Sequence, residues 1–209
     1  MHDLQPAARR RELEFWFEFG SNYSYLALMR IEALAARSGV ALRWRPFLLG
    51  PIFRQFGWSS SPFVLQEAKG RYMWRDMERE ARKYGLPFRR PSRFPRVALL
   101  PMRVATLGAD QPWMGEFCRR VMRQNWVDDL EIDERTYVLR ALDGLVGDAQ
   151  ALLAQAVGEP NKLRLRASTG EAQARGIFGA PTMFAGEEMF WGNDRLEDAV
   201  ACAAAAAAA

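Results

Sequence analysis

The chain is 209 residues long and 49% hydrophobic, enough for one substantial core or for one domain carrying a large insertion. Its 29 Lys and Arg exceed its 25 Asp and Glu by a formal charge of +4, but the arginines are scattered among acids. That argues against nucleic-acid partners and favours small anionic ligands. No apolar run approaches the roughly 20 residues of a membrane span, and Met1 to Arg11 lack the apolar segment of a secretory signal, so a cytoplasmic protein without a membrane partner is expected.

The two cysteines, Cys118 and Cys202, are far apart and form no Cys-x-x-Cys pair, so neither a redox dithiol nor a cysteine metal site is expected. The sequence leaves a disulfide between them open, although the expected compartment disfavours one. The single histidine, His2, lies in the terminus, which argues against a Ser-His-Asp triad and a histidine metal site. Any chemistry must take its reactive group from elsewhere.

In chain order, Leu13, Phe15, Phe17 and Phe19 alternate with Glu14, Trp16 and Glu18, the period-two pattern of a strand. Gly20 breaks it. Ser21 and Asn22 are helix-capping residues, and Ala27, Ile31, Leu34 and Ala35 mark the buried stripe of the helix that follows. A strand thus feeds a helix through a short turn, with the Ser21 hydroxyl beside free N–H groups and the positive end of the helix dipole. A thiolate is stabilised in such a place. Ser21 acting only as a cap is the competing reading.

Ser38-Gly39 stops the helix, and Val40, Leu42 and Trp44 alternate into a second strand ending at Pro46, completing a β-α-β unit with parallel strands. Gly50-Pro51 and Gly57 to Pro62 read as loop, Phe63 to Tyr84 as one long helix, and Pro87, Pro91 and Pro95 as a second loop. Helices are then expected over Val97 to Leu107, Trp113 to Asn125, Glu134 to Val146, Ala149 to Val157 and Asn161 to Ala174, with Asp133, Asp148 and Asn161 as candidate starts. Thr182 to Ala185 and Met189 to Trp191 form a hairpin around Gly186, and a last helix starts near Asn193 or Asp194. Pro181 is either a cis proline or an ordinary trans loop proline. The run Ala203 to Ala209 is low-complexity.

This order predicts an α/β thioredoxin-like fold with a large all-helical insertion between β-α-β and β-β-α halves. Residues 12–49 and 175–203 would form the thioredoxin-like body and residues 50–174 the insertion.

Several stretches together resemble a known family: Phe17-Glu18-Phe19-Gly20-Ser21-Asn22-Tyr23-Ser24-Tyr25-Leu26-Ala27, Arg45-Pro46-Phe47, Lys69-Gly70-Arg71-Tyr72-Met73-Trp74-Arg75-Asp76, Gly176-Ile177-Phe178-Gly179-Ala180-Pro181-Thr182 and Trp191-Gly192-Asn193-Asp194-Arg195-Leu196. In this order they resemble the 2-hydroxychromene-2-carboxylate isomerases, relatives of kappa-class glutathione transferases and of bacterial disulfide oxidoreductases. The resemblance implies glutathione as cofactor, a small aromatic acid as substrate and a homodimer. It implies that Ser21 donates to the glutathione sulfur, with Ser24 at the resolving position of the oxidoreductases. It further implies that the backbone of Ala180, Pro181 and Thr182 meets the cysteinyl moiety, that Asn193 and Asp194 hold the γ-glutamyl end, and that Lys69 meets the glycyl carboxylate.

Taken alone, Asp194 reads first as a first-turn helix acid and Lys69 as a solvated helix cation. Two departures from the family pattern stand out: Asn22 replaces a proline, and Trp58 occupies a loop that in relatives often presents an asparagine. Phe53, Trp58, Phe63 and Trp74 either wall an aromatic substrate pocket or pack a core. The expected activity is glutathione-dependent isomerisation by reversible thiolate addition. Its alternatives are a kappa-type transferase and a non-catalytic thioredoxin-like binding protein.

Overall fold

The structure, a computed structural model, describes residues 11–205. The readings made above on His2, on the rest of residues 1–10 and on residues 206–209 lie outside that range. Four strands, β1 (Glu12–Phe17), β2 (Ala41–Pro46), β3 (Thr182–Ala185) and β4 (Glu188–Trp191), form one sheet in the order β2-β1-β3-β4. β1 pairs parallel to β2 and antiparallel to β3, and β3 pairs antiparallel to β4. The β-α-β half and the hairpin half therefore meet along β1, as the thioredoxin-like order requires. Helix α1 (Asn22–Arg37) makes the crossover and α10 (Leu196–Ala205) follows the hairpin.

The pleat of β1 sorts its side chains. Leu13, Phe15 and Phe17 enter the main core with Tyr25, Leu26 and Ile31 of α1, whereas Trp16 enters a smaller core with Phe47, Ile52, Ile177 and Phe184. Each buried aromatic or leucine side chain contributes about 1.5–3 kcal/mol over its exposed state.

Between β2 and β3 the chain runs through α2 (Leu49–Gln55), α3 (Pro62–Leu65), α4 (Glu67–Lys83), α5 (Leu99–Gly108), α6 (Met114–Trp126), α7 (Arg135–Leu142), α8 (Ala149–Ala156) and α9 (Glu159–Ala174). The main core is continuous from β1 and α1 into α5, α6, α7 and α8 through Met102, Phe117, Val138 and Leu153.

Four local expectations are corrected. Gly50-Pro51 belongs to the first turn of α2, where a proline costs no helical hydrogen bond because that N–H has no partner in any helix. The stretch from Phe63 to Tyr84 is two helices, broken at Gln66 (φ −113°, ψ 93°). The break folds α3 back so that a Cβ on Gly70 would stand 2.2 Å from the Phe63 carbonyl oxygen. Helix α7 ends at Leu142, because Asp143 is extended (ψ 126°). Asp148 does cap α8, accepting from Ala151 N at 2.9 Å, but Asp133 instead accepts from Leu100 N in the first turn of α5, and Asn161 lies inside α9. There Asn161 donates to the carbonyls of Arg103 and Ala156. Cys118 and Cys202 are both free thiols, and burial pushes the Cys118 thiol well up.

Candidate active site

The turn from β1 to α1 is held from both sides. Ser21 N donates to the Glu18 carbonyl (3.1 Å), and Gly20 leaves room for the Arg96 carbonyl, which a Cβ there would meet at 3.0 Å. The Phe19 carbonyl accepts from Asn125 Nδ2 (3.0 Å) and Trp126 Nε1 (3.2 Å) of α6. Behind Asn125 stands the buried guanidinium of Arg96, bonded to Asn125 Oδ1 (3.1 Å), to Ser92 and to the carboxylates of Asp129 and Glu131. The Arg96 hydrogen bond holds the Asp129 carboxyl down at about 2. The turn is thereby pre-organised by groups that lie outside it.

Ser21 is the N-cap of α1 (φ −83°, ψ 120°), and its Oγ accepts from Ser24 N at 3.2 Å. The same hydroxyl donates to the Ala180 carbonyl at 2.9 Å, and the Ala180–Pro181 peptide is cis. The first turn of α1 carries no acidic side chain, so the positive end of its dipole is not neutralised locally. Beside Ser21, Asn22 and Ser24 are buried, and neither Asn22 Nδ2 nor Ser24 Oγ has a hydrogen-bond partner among the described residues. Such groups cost about 1–3 kcal/mol each unless something else satisfies them.

Against this turn lies a cleft of about 390 Å³ whose lining includes Tyr23, Phe63, Asp76, Glu80, Ala180 and Asp194. Asp76 and Glu80 share one face of α4 at i, i+4. Tyr23 donates to Asp76 at 2.7 Å; burial first, then this bond, pushes its phenol far above the ordinary range and keeps it a donor. Asn193, buried at the cleft wall, accepts from Arg30 Nη2 at 2.8 Å, and the Arg30 guanidinium lies 3.6 Å from the centre of the Tyr84 ring. Asp194 is solvent-accessible and its nearest cation is the adjacent Arg195, at 3.4 Å. The cleft therefore presents three carboxylates, suited to an ammonium group, close to a helix N-terminus suited to an anion.

Residues 12–201 match the DSBA-like thioredoxin domain. The chain belongs to that family. Within it, the chain is 29% identical to the 2-hydroxychromene-2-carboxylate isomerase of Sphingobium xenophagum over 191 residues, covering 90% of this chain and 95% of that one. It is also 29% identical to glutathione S-transferase kappa 1 of Rattus norvegicus, covering 90% and 88%. Among solved structures, a 2-hydroxychromene-2-carboxylate isomerase superposes with a TM-score of 0.80 at 26% identity, over 88% of this chain and 90% of that one. Of the three groups named by the sequence resemblance, the isomerases and the kappa transferases are thus both among its relatives.

On this DSBA-like scaffold the expected site residues fall into two sets. Ser21 meets Ala180, which a cis peptide joins to Pro181, and Asn193 and Asp194 share the cleft with Ala180. Thr182 is buried, and its hydroxyl is engaged by the Gly179 carbonyl at 2.9 Å. Lys69 is exposed, seven residues before Asp76 on α4 and so about 10 Å back along the same helical stripe.

The aromatic residues divide. Phe53 packs on the smaller core and touches Trp58 (5.9 Å between centroids), whereas Phe63 lies against Tyr23 (6.0 Å) and Trp74 against Phe94 (4.8 Å), both on the main core. Sequence reasoning gave no role to Tyr23, Asp76, Glu80 or Arg96. The i, i+4 acids of α4 were the one local signal available for the cleft.

Proposed function

We propose that the chain is a glutathione-dependent isomerase of an aromatic α,β-unsaturated keto acid of the 2-hydroxychromene-2-carboxylate type. The reading rests on one observation above all: the Ser21 hydroxyl sits at a helix N-terminus whose first turn carries no acid, while touching the carbonyl that precedes a cis proline. The relatives named for the isomerase and for the kappa transferase give the same direction. Two orphaned buried polar groups, Asn22 Nδ2 and Ser24 Oγ, fit a ligand at that position.

When bound, glutathione would supply a thiolate that adds reversibly to the conjugated double bond, so that the bond can rotate before elimination. Ser21 would turn its hydroxyl from Ala180 to the sulfur, and the freed Ala180 carbonyl would accept from the ligand backbone. A thiol of pKa near 8.5 needs a shift of only ~1 to 2 units to be largely ionised at neutral pH, a stabilisation of ~1.4 to 2.7 kcal/mol. A hydroxyl donor and a helix terminus together are of that order. Asp194, with Asp76 and Glu80 behind it, would hold the γ-glutamyl ammonium. Asn193, fixed by Arg30, would shape that wall, Lys69 would meet the glycyl carboxylate, and Thr182 would support the strand that follows Pro181. We further read residues 50–174 as an insertion into a thioredoxin-like body formed by 12–49 and 175–203, and the protein as a cytoplasmic homodimer.

The test is Ser21→Ala. Turnover at saturating glutathione should fall ~10-fold or more, the loss expected for one hydrogen bond to a charged group with the helix terminus left in place, while loss of the cap costs only ~1 kcal/mol of folding stability. Unchanged turnover would leave Ser21 a plain cap. A kappa-type transferase is the second reading, because the rat enzyme matches this chain at the same identity as the isomerase.

A further inference from the structure

A second depression adjoins the cleft, a groove of about 580 Å³ lined by Phe63, Trp74 and three arginines, Arg71, Arg75 and Arg90. Phe63 also lines the cleft, so the two share one wall. The groove contains two glutamates as well, and each is already paired: Glu67 with Arg71 at 2.5 Å and Glu78 with Arg75 at 2.6 Å. The surplus positive charge belongs to Arg90.

Its neighbours in the loop between α4 and α5 sharpen the point. Arg89 pairs with Asp129 (3.5 Å), Arg93 with Glu131 (3.7 Å) and Arg96 with both acids. Arg90 alone among these four turns away from the acids and lies over the Trp74 ring, 4.7 Å from its centre. It has no carboxylate within ion-pair distance among the described residues. A guanidinium stacked on an indole is held in place yet keeps its edge N–H donors free, the arrangement that receives a carboxylate in a fork of two hydrogen bonds.

We infer that this groove binds the aromatic acid, with the ring packed against Phe63 and Trp74 and the carboxylate held by Arg90. The inference rests on the isomerase reading for the identity of the acid and for the thiolate it meets at the neighbouring cleft. Phe63 and Trp74 thereby belong to the substrate site, and Phe53, which packs on the smaller core, and Trp58, which lies against Phe53, do not.

The test uses 2-hydroxycinnamate as a stable probe and its neutral amide as a twin, with binding to the full chain followed by calorimetry. Arg90→Gln should weaken the carboxylate ~10-fold or more, as expected for one charge-assisted contact, and leave the amide unchanged. Trp74→Leu should weaken both. Glutathione affinity and the thermal midpoint of Arg90→Gln should match the parent, because Arg90 is exposed and makes no ion pair in the fold. Raising the salt should weaken the carboxylate only while Arg90 is present. Equal affinity of carboxylate and amide for the parent, or an Arg90→Gln variant that binds the carboxylate as the parent does, overturns the inference. If Arg90 governs carboxylate binding but glutathione supports no isomerisation, the groove assignment stands and the isomerase reading falls.

Discussion

Glu18 lies three residues before Ser21, with its carboxylate beside Gly20 and no hydrogen-bond or ion-pair partner among the described residues. Burial pushes its pKa from the ordinary 4.5 up to about 7. Because the folded-state value is the higher one, the native protein keeps a proton that the unfolded chain releases between pH 4.5 and about 7. Stability is therefore lost as pH rises through that window, and the full penalty applies above it. The shift corresponds to about 3 kcal/mol, and residual solvent contact lowers this to about 2 to 3 kcal/mol. Glu18→Gln removes the charge and keeps the shape. It should raise unfolding free energy by about 2 kcal/mol at pH 8, or ~4 to 8 °C in midpoint, and by almost nothing at pH 4.5. Urea unfolding at the two pH values measures this directly. A variant that is equally stable to the parent at pH 8, or less stable there, would refute the reasoning and show that the carboxylate is compensated in the native state.

Two further outcomes follow from the same geometry. Asp194→Asn removes a charge from the cleft but no buried contact, so glutathione affinity should fall ~10- to 100-fold, or ~1.4 to 2.7 kcal/mol, with the thermal midpoint hardly moved; a stability loss of ~0.3 to 1 kcal/mol with affinity intact would mark Asp194 as a helix-dipole acid only. Gly70→Ala places a methyl 2.2 Å from the Phe63 carbonyl oxygen, which should cost ~1 to 3 kcal/mol of stability and, by displacing α3, weaken aromatic-acid binding more than glutathione binding; parallel calorimetric titrations separate the two.

What the sequence made legible was whatever depends on local pattern. The alternation of Leu13, Phe15 and Phe17 against Trp16 marked β1, although not the second core that Trp16 enters, and Ser21 was recognisable as a cap because the signal lies within a few residues. Pro51 misled because a proline is compatible with a loop and with the first turn of a helix alike. The break at Gln66 has no breaker residue; what goes with it is the approach of the Phe63 carbonyl to Gly70, a contact that exists only after α3 has folded back. Asp133 was assigned to its own neighbourhood, but it serves a helix 33 residues earlier.

The site divides in the same way. Motif order singles out Ser21, Ala180 and Asp194, although Ser21 and Ala180 are 159 residues apart and their hydrogen bond is tertiary. The rotation of α4 that points Asp76 and Glu80 into the cleft is set by the burial of Met73 and Met77, and the turn of Arg90 onto Trp74 is set by the acids its neighbours occupy. Neither can be read from spacing alone. Likewise, which of four aromatic residues face one another depends on which core each enters.

The most direct measurement follows both the isomers of 2-hydroxychromene-2-carboxylate and the free thiol of glutathione in one reaction with purified protein. Expected is equilibration of the two isomers by substoichiometric glutathione, with the thiol undiminished at the end. Consumption of one equivalent of thiol per turnover, with an adduct accumulating, would contradict the isomerase and leave a conjugating transferase. Isomerisation at the same rate without glutathione would contradict the thiolate chemistry altogether.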